Sequence, residues 1–469
     1  KCGNFSKPLQ YLRKMPKNAW RSAQEAKFSA ANKIVNKGLK IKMPNIRKIE
    51  SKNNTIIYHA SQSMPHTSSG YAIRTHGLVS ALNNQQLDVQ TILRHGYPLD
   101  RNDFAAKKIP KREKIDNVMY HFSHSEIERD IINYQDVYNF TNLEKYLRRA
   151  ISNIVTNAEL LKPEIIHSAS NFVVGMAGAK AAKELGIPSI YEIRGFWHLT
   201  QSTKRDGYEG SDHYQLTERL EIETAKMSDH VFTITHALKD ILVENGVSEK
   251  KISILPNAVD SQQFSITKKD KRLEKDLDFQ NKIVIGYIGS FVRYEGLDLL
   301  LEACAILRNK IGDCFRLLLV GDGDEMQNLR NLSRFLQLED VVRFTGRVEH
   351  HKVNRYYSLI DIAPIPRKGF RVCELVSPLK PFEAMATGKV LITSSVKALA
   401  EIVEDGETGF VFEKDNAEDL AEKLHLVISD DELRRQIGVN AKKWVTENHS
   451  WDVISKRVID VYQKLREEN

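Results

Sequence analysis

Residues 282–290 read KIVIGYIGS, an apolar run that ends in a glycine-bearing loop. It leads through FVRYEGLD (291–298) into the helical spacing of LLLEA (299–303). The same unit returns in FRLLLVGDG (315–323), VVRFTGRV (341–348), DIAPIP (361–366) and KVLITS (389–394). Short apolar runs alternating with amphipathic stretches specify parallel strands covered by helices on both faces. Working outward, TIIYHA (55–60), LDVQTIL (87–93), EIIHSAS (164–170), PSIYEIRG (188–195), HVFTITH (230–236) and KISILPN (251–257) form an earlier series of the same kind. Between the two lie ILPNAVDSQQF (254–264) and a lysine-rich stretch, Lys268–Lys275. The pattern predicts an α/β chain of two doubly wound, Rossmann-like halves. One spans 54–262 and takes back a C-terminal helix at 450–469; the other spans 263–449. Ligands of such sheets gather at the loops beyond the carboxyl ends of the strands.

The 469 residues, 41% hydrophobic and 28% charged, are enough for two or three cores. No run approaches the ~18 apolar residues of a membrane-spanning helix. The first 30 residues lack the apolar core of a secretory signal. Cys2, Cys304, Cys314 and Cys373 have neither a disulfide framework nor zinc-ligand spacing, which fits a reducing cytoplasm.

The net charge of +8 is unevenly placed. Residues 1–52 hold fourteen Lys and Arg against two acids, Glu25 and Glu50, so the body is net acidic. Between Pro16 and Pro44 the extension (1–53) reads as a helix, with Trp20, Phe28, Ala31, Val35 and Leu39 on one face among lysines. Such a segment suits an anionic membrane surface; it equally suits packing on the body. Nucleic acid is not expected as a partner, because the body carries no basic face to match the tail.

Three loops of the second half carry chemistry. In GSFVRYEGLD (289–298), Gly289 and Gly296 permit close backbone approach, with Ser290 and Arg293 beside them. In GRVEHH (346–351), the backbone of Gly346, Arg347 and Val348 is suited to a nucleobase edge. In CELVSPLKPFEAMATGK (373–389), Ser377 or Lys380 is expected to cap a helix that opens with proline and closes at Gly388. Free N–H groups at that helix start, with Ser377, Leu379 and Lys380 around them, make an anion site. Glu383, one turn inside, is placed to accept hydrogen bonds from ribose hydroxyls. Two metal-like patterns are set aside: Asp322-Gly323-Asp324 reads as the turn after LLLV, and His121-x-x-His124, read on a helix, lacks a third ligand.

Taken in order, these segments resemble the retaining glycosyltransferases of family 4, which have the GT-B fold. The resemblance rests on YIGSFVRYEGLDLLLEA, LLLVGDGDEMQNL, VRFTGRV, SPLKPFEAMATGKVLITS and EIVEDGETGFVFEKDNAEDLAEKL in the second half. In the first half it rests on SGYAIRTHGLVSAL, IIHSAS and ILPNAVDSQQF. It implies that the second half binds a nucleoside-diphosphate sugar, with UDP favoured, and that the first half binds a glycan or lipid-linked acceptor. It also implies that no metal or other cofactor is needed.

Residue by residue the match is uneven. The family's Arg and Lys that grip the diphosphate fall on Ser290 and Glu295; Arg293 and Lys380 are expected to supply that charge. Of the family's glutamate pair, Glu383 matches the second and Leu375 the first, with Glu374 beside it. The acceptor-side histidine falls on Arg194, and Gly70 is expected to let the first half approach the donor. The resemblance therefore nominates Glu374, Lys380, Arg293 and Arg194 as catalytic. It implies transfer of a sugar to a hydroxyl with retention, in bacterial surface polysaccharide synthesis, at the inner face of the membrane. The alternatives are a GT-B-fold sugar-nucleotide epimerase and a non-catalytic, membrane-recruited scaffold.

Overall fold

The computed structural model describes residues 4–41, 46–101, 104, 109–123 and 133–468. The chain forms two compact units, Lys1–Leu255 with Ser455–Asn469, and Pro256–Ile454. In the first unit, β1 (Thr55–Ala60), β2 (Asp88–Leu93), β3 (Arg112–Ile115), β4 (Val118–His121), β5 (Ile165–Ala169), β6 (Ser189–Ile193), β7 (His230–Thr233) and β8 (Ile252–Ile254) make one sheet. Its order is β3-β4-β2-β1-β5-β6-β7-β8, parallel except for the β3–β4 hairpin. All of β1, β5, β6 and β7 is buried, as expected of strands covered on both faces. β1 pairs with β2, Thr55 opposite Asp88, and on its other side with β5, Ile56 opposite Ile165. The strand order therefore reverses between β1 and β5.

The second unit holds β9 (Ile283–Ile288), β10 (Phe315–Val320), β11 (Val342–Gly346), β12 (Ile362–Ile365), β13 (Val390–Ser394) and β14 (Phe410–Phe412). All pairs are parallel, in the order β11-β10-β9-β12-β13-β14. Here the order reverses between β9 and β12. In an open α/β sheet that is where a ligand crevice forms, at the strands' carboxyl ends.

From Gly70 a helix runs to Asn84, capped by Ser69 Oγ accepting from the Ala72 amide at 3.3 Å. Several local expectations are corrected. His121 ends a strand rather than sitting on a helix, and its Nε2 lies 2.7 Å from Gln90 Oε1; His124 lies outside the described residues.

The N-terminal extension departs most from its pattern. It forms two helices, Ser6–Lys14 and Ala19–Lys37, and Gly38 at φ +69° ends the second, so Leu39 lies past it. Phe5, Leu9, Leu12, Ala31 and Ile34 are buried. Phe5, Ala31 and Ile34 belong to the core that includes Tyr138, Phe140, Leu143 and Phe172, with Phe28, Val35 and Leu39 packed against it. The Phe5 ring meets Phe140 edge-on at 6.0 Å, and the Phe5 amide donates to Asp212 at 2.7 Å. Arg219 donates to the carbonyls of Ile34 (2.9 Å), which also accepts the Gly38 amide, and Val35 (3.2 Å), in the last turn of the helix. Trp20 is not on the packed face: it is 57% exposed. The apolar stripe is real, and the body of the first unit covers it.

Candidate functional site

In the second unit, the loops that follow β9, β10, β11 and β12 are stitched together by backbone. Gly289 N–H donates to Val320 O (2.9 Å), Phe291 N–H to Asp322 O (2.9 Å), Gly321 N–H to Gly346 O (3.0 Å) and Lys368 N–H to Tyr294 O (3.0 Å). Gly296, at φ +71°, brings the first loop onto the last: a Cβ there would sit 1.9 Å from the Pro366 carbonyl oxygen. No side chain fits, so the sequence must place glycine at this contact.

This closure buries a charge cluster. Glu295 ends a 3₁₀ turn, Arg293–Glu295, and is 2% exposed. Its Oε1 accepts from Arg367 Nη2 at 2.8 Å and lies 3.0 Å from Lys380 Nζ. Arg367 Nη1 also donates to Val376 O at 2.7 Å. Burial pushes the Glu295 carboxyl up, but Arg367 and Lys380 outweigh it and hold the group at about 2. Burial draws Lys380 below the usual lysine range, with Glu295 opposing and Arg367 adding to the fall. The ammonium lies 5.1 Å from the centre of the Tyr287 ring, and a Cβ on Gly289 would come within 2.1 Å of Lys380 Cε. Lys380 thus lies across the end of β9, at the point where the strand order reverses.

The helix bearing Lys380 runs Lys380–Ala386, followed by Thr387 and by Gly388 at φ +70°. Neither Ser377 nor Lys380 caps it; Leu379 occupies that position without a side-chain bond. Ser377 is instead held by Asn257, whose Nδ2 donates to Ser377 O at 2.8 Å. The amides of Phe382 and Glu383 turn back to Leu379 O, and Pro381 has none to offer. Among the described residues, the Leu379 and Lys380 amides have no hydrogen-bond partner, which leaves two donors at the start of the helix that carries the ammonium. Half-buried Glu383 accepts from the Tyr357 hydroxyl at 3.1 Å, and burial raises its carboxyl against the pull of Tyr357 and Lys380.

The other nominated residues are distributed as follows. Arg293 is exposed, its guanidinium 5.6 Å from the centre of the Phe370 ring, on the same loop as exposed Ser290. Gly346 closes β11 at φ +73°, Arg347 is exposed and Val348 half-buried. Glu374 spends both oxygens inside the protein: Oε1 on Lys414 Nζ (2.5 Å), Oε2 on the Lys397 amide (2.8 Å). Asp322 and Asp324 sit in the exposed turn after β10. Sequence reasoning missed Arg367 altogether. The available signal was an acid at position 295, where the resemblance expects a base.

In the first unit Arg194 follows β6 and is buried. It donates to Glu192 Oε1 (2.8 Å), Tyr71 O (2.9 Å), Thr75 Oγ1 (2.8 Å) and the Tyr58 hydroxyl (2.5 Å). These bonds tie the end of β6 to the first turns of the helix that begins at exposed Gly70. His167, on β5, is buried with Nδ1 2.8 Å from the Tyr462 hydroxyl. Among the described residues of both units, no group of three or more His, Cys, Asp or Glu is placed to hold a metal ion.

Two families match the chain, one per series of strands: "Glycosyltransferase Family 4" over residues 68–263 and "Glycosyl transferases group 1" over residues 268–444. An uncharacterized glycosyltransferase of Methanocaldococcus jannaschii is 26% identical over 240 residues, 51% of this chain; the match spans 59% of that relative's length. The capsular polysaccharide biosynthesis glycosyltransferase CapM of Staphylococcus aureus is 27% identical over 66% of this chain and 78% of its own. Among solved structures, sucrose-phosphate synthase from Thermosynechococcus elongatus superposes with a TM-score of 0.70 at 19% identity, covering 88% of this chain and 100% of that one. The Anabaena HepE protein in complex with UDP-glucose gives 0.64 at 17% identity, covering 87% and 99%. The layout of two Rossmann-like sheets is the same. The chain is a GT-B-fold glycosyltransferase related to the family 4 and group 1 glycosyltransferases.

Proposed function

We propose that the protein transfers a sugar from a nucleoside diphosphate, UDP favoured, to a hydroxyl of a glycan or lipid-linked acceptor with retention of configuration. The observation that carries the reading is the Lys380 ammonium at the end of β9, where the second sheet reverses, on a helix whose Leu379 and Lys380 amides are unpartnered. A diphosphate held there meets fixed donors, which stabilise the negative charge that grows as the bond from the anomeric carbon to phosphate oxygen breaks. The acceptor oxygen bonds to the anomeric carbon from the same face, and its proton passes to the departing phosphate. Glu383 accepts from the ribose hydroxyls, and Gly346, Arg347 and Val348 line the base. Arg293 adds a second positive charge from its loop.

Glu374 and Arg194 take different parts in this proposal. Glu374 reaches the sugar only by giving up Lys414. Arg194 acts through the helix at Gly70 that faces the acceptor, holding it in place rather than touching the reacting atoms.

The name of the S. aureus relative supports an acceptor in surface polysaccharide synthesis. A panel of nucleotide sugars tests the reaction: diphosphate release that requires an acceptor glycan separates transfer from epimerisation. With the donor found, Glu383→Ala is expected to lower turnover at least tenfold. An unchanged rate in the folded variant would remove the ribose assignment.

The acceptor reading also assigns a membrane face to residues 1–52. Since the apolar stripe is covered, contact falls to the outer side of the first helix, the turn after it and the start of the second helix. Lys7, Tyr11, Lys14, Met15, Lys17 and Trp20 are exposed there, and no acid occurs before Glu25. Aromatic side chains among lysines are the composition of a bilayer interface. Deleting the segment would unroof the core, so point variants are the clean test. Tyr11→Ser with Trp20→Ser is expected to cut sedimentation with phosphatidylserine-containing vesicles at least fivefold while leaving the fold intact. Equal sedimentation would refute this face.

A further inference from the structure

Position 295 presents a reversal of charge. The family pattern calls for a base here, to meet the donor diphosphate; the chain supplies a buried acid. That acid is almost wholly shielded from solvent. One oxygen holds Arg367 Nη2 at 2.8 Å and Lys380 Nζ at 3.0 Å, joining two loops to the start of a helix.

We propose that Glu295 is a positioning residue, which anchors Lys380 across the end of β9 and keeps its ammonium charged for the diphosphate. The inference rests on the donor site described above. A lysine side chain has many rotamers to lose and is costly to bury charged without a partner. Three features remove that freedom: the Glu295 carboxylate at Nζ, the Tyr287 ring 5.1 Å away, and the backbone of Gly289 under Cε. An ammonium has three N–H donors. Glu295 engages one, leaving two for phosphate oxygens.

The charges that bear on Lys380 are Glu295, Arg367 from the loop after β12, and Glu383 from its own helix. Arg367 and burial favour the neutral amine, whereas Glu295 and, more weakly, Glu383 favour the ammonium. Glu295 also accounts for Arg367. With both cations present, the single acid leaves the cluster one net positive charge. Without it, two like charges would be buried together, and the lysine is the one able to shed its proton.

The sign of the effect follows. Removing the acid lowers the pH at which Lys380 deprotonates, so diphosphate binding fails earlier on the alkaline side. Calorimetry with UDP and with GDP between pH 7 and 9.5 reads this directly. The intact protein is expected to bind one of them with an alkaline decline, and Glu295→Gln to show that decline at least one pH unit lower. Adding Lys380→Arg to Glu295→Gln is expected to leave only the decline set by the nucleobase's own N–H, because a guanidinium does not titrate in this range. Glu295→Asp, which keeps the charge, is expected to restore the decline most of the way and serves if the Gln variant does not fold. Coincident profiles for the intact protein and a folded Glu295→Gln would overturn the role of Glu295 alone. Failure of the intact protein to bind either nucleotide would instead overturn the donor site, and this inference with it.

Discussion

Glu192→Ala is expected to destabilise the first unit by about 3–5 kcal/mol, the range for removing one member of a buried ion cluster. Glu192 is 0% exposed, and four side chains converge on its two oxygens. Oε1 accepts from Arg74 Nε at 2.7 Å and Arg194 Nε at 2.8 Å. Oε2 accepts from the Tyr58 hydroxyl and from Arg194 Nη2 at 3.2 Å, with His167 Nε2 at 3.3 Å. Losing the carboxylate leaves two guanidinium groups close together in the interior. Burial works to raise the Glu192 carboxyl, but Arg194 and Arg74 more than reverse it and hold the group well below 4.5. A depressed carboxyl contributes stability that is complete above its unfolded value and lost as pH falls through the folded one. The lead of the intact protein over Glu192→Gln should therefore be full at neutral pH and shrink only below about pH 4.5. Urea denaturation, read on the transition of that unit, checks both points. A loss of less than ~1 kcal/mol would mean that the arginines find other acceptors.

Lys380→Ala is expected to reduce turnover at least tenfold, and by as much as ~10²–10³ if the ammonium acts chiefly on the leaving phosphate. The half-buried side chain delivers its charge at one place, from a helix whose Leu379 and Lys380 amides stand open. Alanine removes that charge and also leaves the Glu295 carboxylate with Arg367 alone, so the cluster changes from one net positive charge to none. Steady-state release of nucleoside diphosphate from the donor that the panel identifies gives the measurement. Unaltered kcat and KM in folded Lys380→Ala would end the case for this residue as the phosphate ligand.

The sequence made the architecture readable because a parallel strand buried on both faces declares itself as a continuous apolar run. FRLLLV at 315–320 and VLITS at 390–394 are examples, each buried throughout. The hairpin Arg112–Ile115 and Val118–His121 was not legible, since an edge strand alternating Arg, Glu, Lys and Ile has no such signature. At the site, Lys380 and Glu383 could be named because they lie on one short helix after proline. Arg367 could not: its link to Glu295 spans 72 residues, and only the fold brings them to one oxygen. Arg194 was noticed through its place in Y-E-I-R-G, yet its partners at 58, 71, 75 and 192 lie on three different elements. The extension shows the same boundary. Spacing revealed an apolar face on Phe28, Ala31 and Val35, but periodicity carries no information about what covers it.

The seating of that extension has a mechanical corollary. Phe5 against Phe140, and Arg219 on the carbonyls of Ile34 and Val35, weld the two N-terminal helices to the sheet-bearing body of their unit. Any surface gripped by Tyr11 and Trp20 would therefore not hold the enzyme on a slack leash. It would dictate the tilt at which that body stands over the bilayer, and so the height above the lipid heads at which an acceptor must present its hydroxyl.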